Sequence, residues 1–355
     1  MRIFQLVSIL HFGDAIGNDV VAFDRALREA GYETGIFATQ IDKKMEGEGR
    51  KLIEDMPELN EEDIMIYHMA HGYKTSYIFR DLKCRKVMAY HNITPPEFFK
   101  KYDEGSANVS RSGYEELRFL AECTDYCLAV SEFNKQNLIE NGFKCKIDVL
   151  PIIMPFEDYE KKPAENIMEK YGNDDVTNIL FVGRVVPNKK LEDVVSAFDA
   201  YRKLYNKNSR LIFVGSSNDR NPYKTRLDAY IDMLGDENII FPGHIGFDEI
   251  IAFYKTADIF LCQSEHEGFC VPLVEAMKFD VPIIAYDAAA IGDTLGGAGI
   301  LLKEKDPLIT AGMIDRLVKD RELRENVIEN QRERLNDFSY EKVSKRLIEL
   351  IEAFK

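Results

Sequence analysis

The sequence lacks a basic excess, a CxxC pair, an apolar run long enough to cross a bilayer, an Asp-x-Asp and a GxGxxG, and each absence narrows what the chain can do. Sixty-one acidic against forty-six basic residues give a net charge of -15. That balance disfavours nucleic acid as a partner, because proteins that bind its backbone carry a basic face. The six cysteines, Cys84, Cys123, Cys127, Cys145, Cys262 and Cys270, form no CxxC, and four lie in apolar patterns where a thiol acts as a small hydrophobe. This fits a reducing compartment. The opening apolar run ends near Phe12, too short to span a bilayer and without a small-residue cleavage site, so it reads as a buried strand rather than a signal. The expected location is cytoplasmic, at most peripheral to a membrane. Without an Asp-x-Asp there is no paired-carboxylate cradle for a divalent cation on a diphosphate. No GxGxxG follows a strand with an acid about twenty residues on, which argues against an NAD-dependent oxidoreductase. His68-Met69-Ala70-His71 is too sparse for a metal site.

What is present is material for two cores. A length of 355 residues exceeds the roughly 250 to 300 at which single cores stop growing, and 45% hydrophobic with 30% charged residues is a globular composition. Short apolar runs alternate with helix-period sequence, the pattern of an α/β protein whose parallel sheets are covered on both faces. In the first half strands are expected over residues 3–8, 34–38, 64–68, 86–90, 126–130 and 148–150, with helices over 20–30 and 132–141, the second opened by Ser131 as N-cap. Residues 151–163 break both periodicities and mark the domain boundary, giving a first domain over 1–155 and a second over 156–339. The second series has strands over 178–182, 210–214, 239–241, 259–262, 282–285 and 299–301, with helices over 191–204, 223–234, 248–255, 272–278 and after Pro307. A closing helix over 340–355 aligns Val343, Leu347, Leu350, Ile351 and Phe354 on one stripe, and is expected to pack back on the first domain rather than lie on a membrane. One stretch, Lys74 to Lys101, is locally basic, with seven bases against two acids. It reads as a solvated face or as a contact for an anionic acceptor or lipid headgroup.

Open parallel sheets bind ligands outside the carboxyl ends of their strands, and the distinctive residues sit there. The segment from Ser264 to Met277 follows a strand and enters a helix at Pro272, the first-turn position proline favours. The backbone amides around Gly268 to Val274 and the positive end of the helix dipole suit an anion, and Gly268 lets the chain approach a phosphate. Glu267 and Glu275 are separated by seven residues. A carboxylate accepts two hydroxyl hydrogens at once, so one acid suits a ribose diol and the other a sugar ring, although glutamates near helix starts also serve as plain dipole partners. A second segment, Phe181 to Leu191, places Gly183 and Arg184 at a strand end and Lys189 just before a helix, a pair able to clamp a diphosphate and offset the charge that grows on it in a reaction. In the first domain, Gly13 and Gly17 flank Asp14 in a loop after the opening strand, and His91 closes another strand.

The spacing of Glu267 and Glu275, followed by Ala276-Met277, resembles the signature of the retaining glycosyltransferases of family four, also called glycosyl transferases group one. The resemblance implies the GT-B fold, two Rossmann-like domains with parallel sheets facing a central cleft. It implies that Glu275 holds the ribose hydroxyls, that Glu267 meets the donor sugar near its reacting carbon, and that Phe269, Cys270 and Val271 lie against sugar and diphosphate through their amides. The family has its arginine and lysine where Arg184 and Lys189 stand. The resemblance implies a diphosphate contact at Gly13 and Gly17 and an acceptor contact for Asp14; the family's glycine loop is richer, a departure that keeps the first expectation and weakens the second. Similar enzymes set a histidine against the donor sugar, a role open to His91 beside that of a satisfied structural histidine. Gly292-Asp293 replaces the common Pro-Glu, and the likeness is strong over 178–302 and weak over 40–60. No metal or other cofactor is implied. The expected activity is transfer of a hexose from a UDP- or GDP-sugar to a glycan or lipid-linked acceptor, with a leaving phosphate oxygen taking the acceptor's proton. A nucleotide-sugar epimerase, a phosphorylase and a nucleotide-sugar-binding protein without turnover remain alternatives.

Overall fold

A computed structural model describes residues 1–216, 221–243 and 245–355. The chain forms two compact units, the first comprising residues 1–97, 104–155 and 337–355 and the second 98–103 and 156–336. Residues 98–103, expected in the first domain, therefore belong to the second unit, and 337–339 belong to the first.

The first unit contains β1 (Arg2–Leu10), α1 (Ala15–Glu29), β2 (Glu33–Ile41), β3 (Arg50–Leu52), β4 (Ile64–Met69), α2 (Thr75–Asp81), β5 (Arg85–Tyr90), the first half of α3 (Pro96–Phe99), α4 (Glu104–Leu120), β6 (Tyr126–Ala129), α5 (Glu132–Glu140) and β7 (Lys146–Val149). Its seven strands are parallel in the order β3-β2-β1-β4-β5-β6-β7, with Ile3 beside Ile64 and Ile64 beside Arg85. β4 and β6 are buried along their whole length, which is why they read as unbroken apolar runs. Ala22, Phe23, Ala26 and Leu27 of α1 enter one core with Val343, Leu347, Leu350 and Ile351 of the closing helix Tyr340–Phe354. Each of the larger side chains contributes about 1.5 to 3 kcal/mol relative to exposure. Ser131 caps α5 by accepting the Asn134 amide at 3.2 Å.

Several elements depart from the sequence expectation. α1 begins at Ala15 rather than residue 20, an early start that Gly17, a poor helix former in its first turn, hides from a reading of the sequence. A Cβ there would stand 2.3 Å from the His11 carbonyl oxygen, so packing demands glycine. α4 escaped the reading because its buried side carries Ser110, Gly113 and Glu116 among the apolar residues, and a Cβ on Gly113 would stand 2.9 Å from the Gly72 nitrogen. β3 is an edge strand of Arg-Lys-Leu with no alternation to detect.

The second unit contains α6 (Glu165–Tyr171), β8 (Thr177–Val182), α7 (Leu191–Leu204), β9 (Ser209–Val214), α8 (Pro222–Leu234), β10 (Ile239–Ile240), α9 (Phe247–Thr256), β11 (Ile259–Cys262), α10 (Val271–Lys278), β12 (Ile283–Tyr286), α11 (Ile291–Leu295), β13 (Ile300–Leu302), α12 (Pro307–Lys319) and α13 (Arg321–Leu335). Its six parallel strands run β10-β9-β8-β11-β12-β13. Ile179, Phe181, Leu211, Phe213, Ile259 and Leu261 of the sheet meet Val194, Val195, Phe198 and Tyr201 of α7 and Ile314 and Leu317 of α12 in its core. Among the described residues no helix is long and apolar enough to cross a membrane. In the basic stretch, Arg80 is paired with Asp81 at 2.7 Å and lies over the rings of Tyr77 and Phe119.

Candidate active site

In the second unit, β8 and β11 are neighbours and deliver their carboxyl-end loops side by side. The turn after β8, Pro187–Lys189, is tied to the loop after β11 in both directions through Asn188. Its carbonyl accepts the Glu265 amide at 2.9 Å, and its side-chain nitrogen donates to the His266 carbonyl at 2.9 Å. The Ala290 amide donates to the Glu267 carbonyl at 3.2 Å, and the Thr294 hydroxyl donates to the Phe269 carbonyl. The loop is thus fixed on both sides.

That clamp brings Lys189 Nζ to both carboxylate oxygens of Glu267, at 2.5 and 2.6 Å. The two side chains are only 14% and 8% exposed. Burial alone pulls the Lys189 ammonium down, but the Glu267 charge and hydrogen bonds outweigh it and leave its pKa raised. Lys190, in a left-handed conformation at φ 50°, pairs with Glu265 at 3.2 Å, and Lys305 also reaches Glu265 at 2.9 Å. Arg184, in contrast, is exposed and makes no ion pair among the described residues. Gly183 packs beside the Lys189 stem, where a Cβ would stand 4.0 Å from Lys189 Cε.

Gly268 is half-buried, Phe269 and Cys270 are buried, and Cys270 adopts φ 70° as the residue before α10, whose first residue is Val271. One turn into α10, Glu275 is buried, and each carboxylate oxygen accepts one tyrosine hydroxyl, from Tyr159 at 2.8 Å and Tyr254 at 2.7 Å. Burial raises its pKa, and the two hydroxyls offset part of that rise. An ionised carboxylate has about four acceptor positions, so lone pairs remain beyond these two. The ligand atoms of Cys262, Glu267 and Cys270 lie within 4.8 Å of one another, but the Lys189 ammonium already occupies the carboxylate.

In the first unit, Gly13 turns the chain at φ 76° after β1, and Asp14 is the N-cap residue of α1 with no side-chain capping bond. Gly17, expected in the loop, is instead buried in the first turn of α1, a correction to the placement the sequence suggested. His91, for which the sequence left a structural role open beside a sugar contact, has a side chain 2% exposed, and its Nε2 shares a hydrogen bond with His68 Nδ1 at 2.9 Å.

Residues 163–334 match the family described as glycosyl transferases group 1. That match lies wholly within the second unit. Among relatives, the capsular polysaccharide biosynthesis glycosyltransferase CapM of Staphylococcus aureus is 27% identical over 244 residues, 65% of this chain and 62% of that protein. The match thus spans less than two thirds of that relative. Among solved structures, sucrose-phosphate synthase from Thermosynechococcus elongatus superimposes with a TM-score of 0.78 at 16% identity, covering 99% of each chain. Anabaena Alr3699/HepE in complex with UDP-glucose gives 0.77 at 14% identity, covering 99% of this chain and 100% of that one. The fold is GT-B.

Asn188, Tyr159 and Tyr254 had no role in the sequence reading. Asn188 lay inside a quoted segment, and an amide side chain in a turn between two charged loops was its signal. The tyrosines gave none, since their contacts to Glu275 span 116 and 21 residues.

Proposed function

We propose that the protein is a retaining, metal-independent hexosyltransferase of family four that moves a hexose from a UDP- or GDP-sugar to a glycan or lipid-linked acceptor in surface polysaccharide synthesis. The observation that carries this reading is the Lys189–Glu267 pair, held with 2.5 and 2.6 Å contacts in the loop that enters α10. CapM's name supports the polysaccharide assignment, and the UDP-glucose in the HepE complex supports a nucleotide-sugar donor.

The unliganded pair is internally neutralised. A donor diphosphate competes for the Lys189 ammonium and is met also by the exposed Arg184 and by the amide end of α10. Glu267, released from the lysine, accepts hydroxyls of the donor sugar, and Glu275 accepts the ribose hydroxyls on the lone pairs its tyrosines leave. As the bond to the diphosphate breaks, negative charge grows where these cations and the helix end already stand, the preorganised form of electrostatic catalysis. The acceptor hydroxyl attacks from the face the diphosphate leaves, and a phosphate oxygen takes its proton, so no side-chain nucleophile is used.

The test is nucleoside-diphosphate release from UDP- and GDP-hexoses in the presence of a chelator, with the product anomer read by NMR. Release with retention of configuration is expected. An inverted product or release abolished by the chelator overturns the mechanism, and binding without release reduces the protein to a nucleotide-sugar-binding module.

A further inference from the structure

Two buried thiols flank the loop that carries Glu267. Cys262 ends β11 and Cys270 immediately precedes α10, and they are 1% and 8% exposed. The ligand atoms of Cys262, Glu267 and Cys270 lie within 4.8 Å of one another, and the two thiols share a hydrogen bond. Lys189 takes both Glu267 oxygens, which leaves the sulfurs to each other. The transferase reading gives neither sulfur a task.

Bond directions set which sulfur reacts first. Cys262 Sγ donates to Ser264 Oγ at 3.4 Å, so in the bond between the two thiols Cys270 is the donor. A donated hydrogen bond steadies a thiolate, and this one draws Cys262 below the ordinary thiol range against the opposing effect of burial. The same bond, with burial and the Glu267 charge, keeps the proton on Cys270. The Lys189 ammonium, pulled down by burial and held up by Glu267, is held up also by both sulfurs, so a cation stands beside them. Cys262 is thus the attacking sulfur, and Cys270 the one that resolves.

We propose that Cys262 and Cys270 are a redox-active dithiol, and that hydrogen peroxide oxidises it to a disulfide that shuts the loop to a nucleotide-diphosphate sugar. The disulfide stands on the arrangement of the thiols, whereas its consequence for the donor rests on the transferase reading. The Cys262 thiolate attacks one peroxide oxygen, the O–O bond breaks and hydroxide leaves, giving a sulfenic acid. Cys270 gives its proton to that hydroxide and attacks the Cys262 sulfur, the S–O bond breaks, and the second hydroxide leaves with the proton that Cys262 had released. Two thiols thereby lose two electrons and two protons, and the peroxide becomes two waters. An S–S bond of about 2.0 Å is far shorter than a contact between unbonded sulfurs, so Cys270 must shift toward β11. The loop cannot follow as a body. Its carbonyls at His266, Glu267 and Phe269 are held by Asn188, Ala290 and Thr294, and the Cys270 carbonyl accepts the Leu273 amide in the first turn of α10. Closure therefore displaces Glu267 and the first amides of α10 relative to those anchors.

The experiment treats the full reduced chain with hydrogen peroxide, alkylates the remaining thiols and maps peptides by mass spectrometry. A Cys262–Cys270 link with loss of two hydrogens, reversed by dithiothreitol, is expected. Calorimetry with UDP- and GDP-hexoses should then show at least about tenfold weaker binding by the oxidised protein, as for loss of a charge-assisted contact, and recovery on reduction. Cys262→Ala, compared with its own untreated sample, should keep its affinity through the same treatment. Oxidation that stops at a sulfenic or sulfinic acid overturns the proposal. So does a disulfide confined to Cys127 and Cys145, whose sulfurs lie 3.6 Å apart in the first unit.

Linkage supplies a readout that a merely structural pair of thiols would not move. If the disulfide weakens donor binding tenfold, a saturating donor disfavours the disulfide by the same factor. In a two-electron couple that is about 30 mV, so the midpoint in a glutathione buffer should rise by this amount when the nucleotide sugar is present. Burial slows that equilibrium without changing it. A midpoint indifferent to nucleotide, or equal affinity of the linked and reduced proteins, overturns the proposal as well. Failure of the reduced chain to bind any nucleotide sugar defeats the transferase reading instead, and the peptide map still decides the disulfide.

Discussion

Replacing Lys189 by methionine keeps the apolar stem and removes the ammonium. Glu267, with a side chain 8% exposed, then loses the partner that stands 2.5 and 2.6 Å from its two oxygens. Removing one member of a buried ion pair costs about 3 to 5 kcal/mol, because the other charge is left desolvated and uncompensated. In a unit of this size 1 kcal/mol moves Tm by roughly 2 to 4 °C, which places the expected fall on the order of 10 °C. Glu267→Gln costs less, since an amide oxygen still accepts from the ammonium. The double variant, with both charges gone, recovers most of the loss of Lys189→Met. The raised pKa of Lys189 makes the pair's contribution complete below the ordinary lysine range and lost only as pH rises through the folded value above it, so melts at pH 7 report it in full. Circular dichroism is the suitable probe, as the chain has no tryptophan. A Lys189→Met protein melting within about 2 °C of wild type, inside the range of ordinary surface changes, would refute the reasoning. Strictly additive losses in the double variant would refute it equally.

Tyr254→Phe removes the 2.7 Å donor from buried Glu275 and is expected to destabilise by about 1 to 3 kcal/mol, read as a shift in thermal midpoint; an unchanged midpoint contradicts the buried contact. Asp63 is held down to about 2, first by its hydrogen bonds with Arg2. Its contribution is therefore present above pH 4 and lost as pH falls toward 2, so Asp63→Asn should be less stable at pH 7 and decline less steeply across that window in acid melts. Gly17→Ala sets a Cβ 2.3 Å from the His11 carbonyl oxygen and should lower Tm by several degrees, although alanine is the better helix former; a rise in Tm contradicts the close approach.

The alternation of buried strands was legible because parallel strands covered on both faces leave unbroken apolar runs such as Ile-Phe-Leu-Cys of β11. Lys189 and Glu267 were legible as separate residues because each closes a strand-to-helix connection. Their union was not, since both were assigned to a ligand and the unliganded pair satisfies itself. Glu275 was legible by spacing, whereas Tyr159 came from a stretch read as a boundary because its fixing partners, Phe247 and Phe279, are distant in sequence. His91 shows the same limit. Only the folded arrangement brings His68 to its Nε2.

The central claim, that the loop pair Lys189–Glu267 receives a nucleotide-diphosphate sugar, is tested most directly by calorimetric titration of UDP- and GDP-hexoses into the wild type and Lys189→Ala. One of the two nucleotide series should bind with one-to-one stoichiometry and lose at least about tenfold in affinity in the variant, as expected for loss of a charge-assisted contact. Absence of binding by either series, or equal affinity in both proteins, would contradict it.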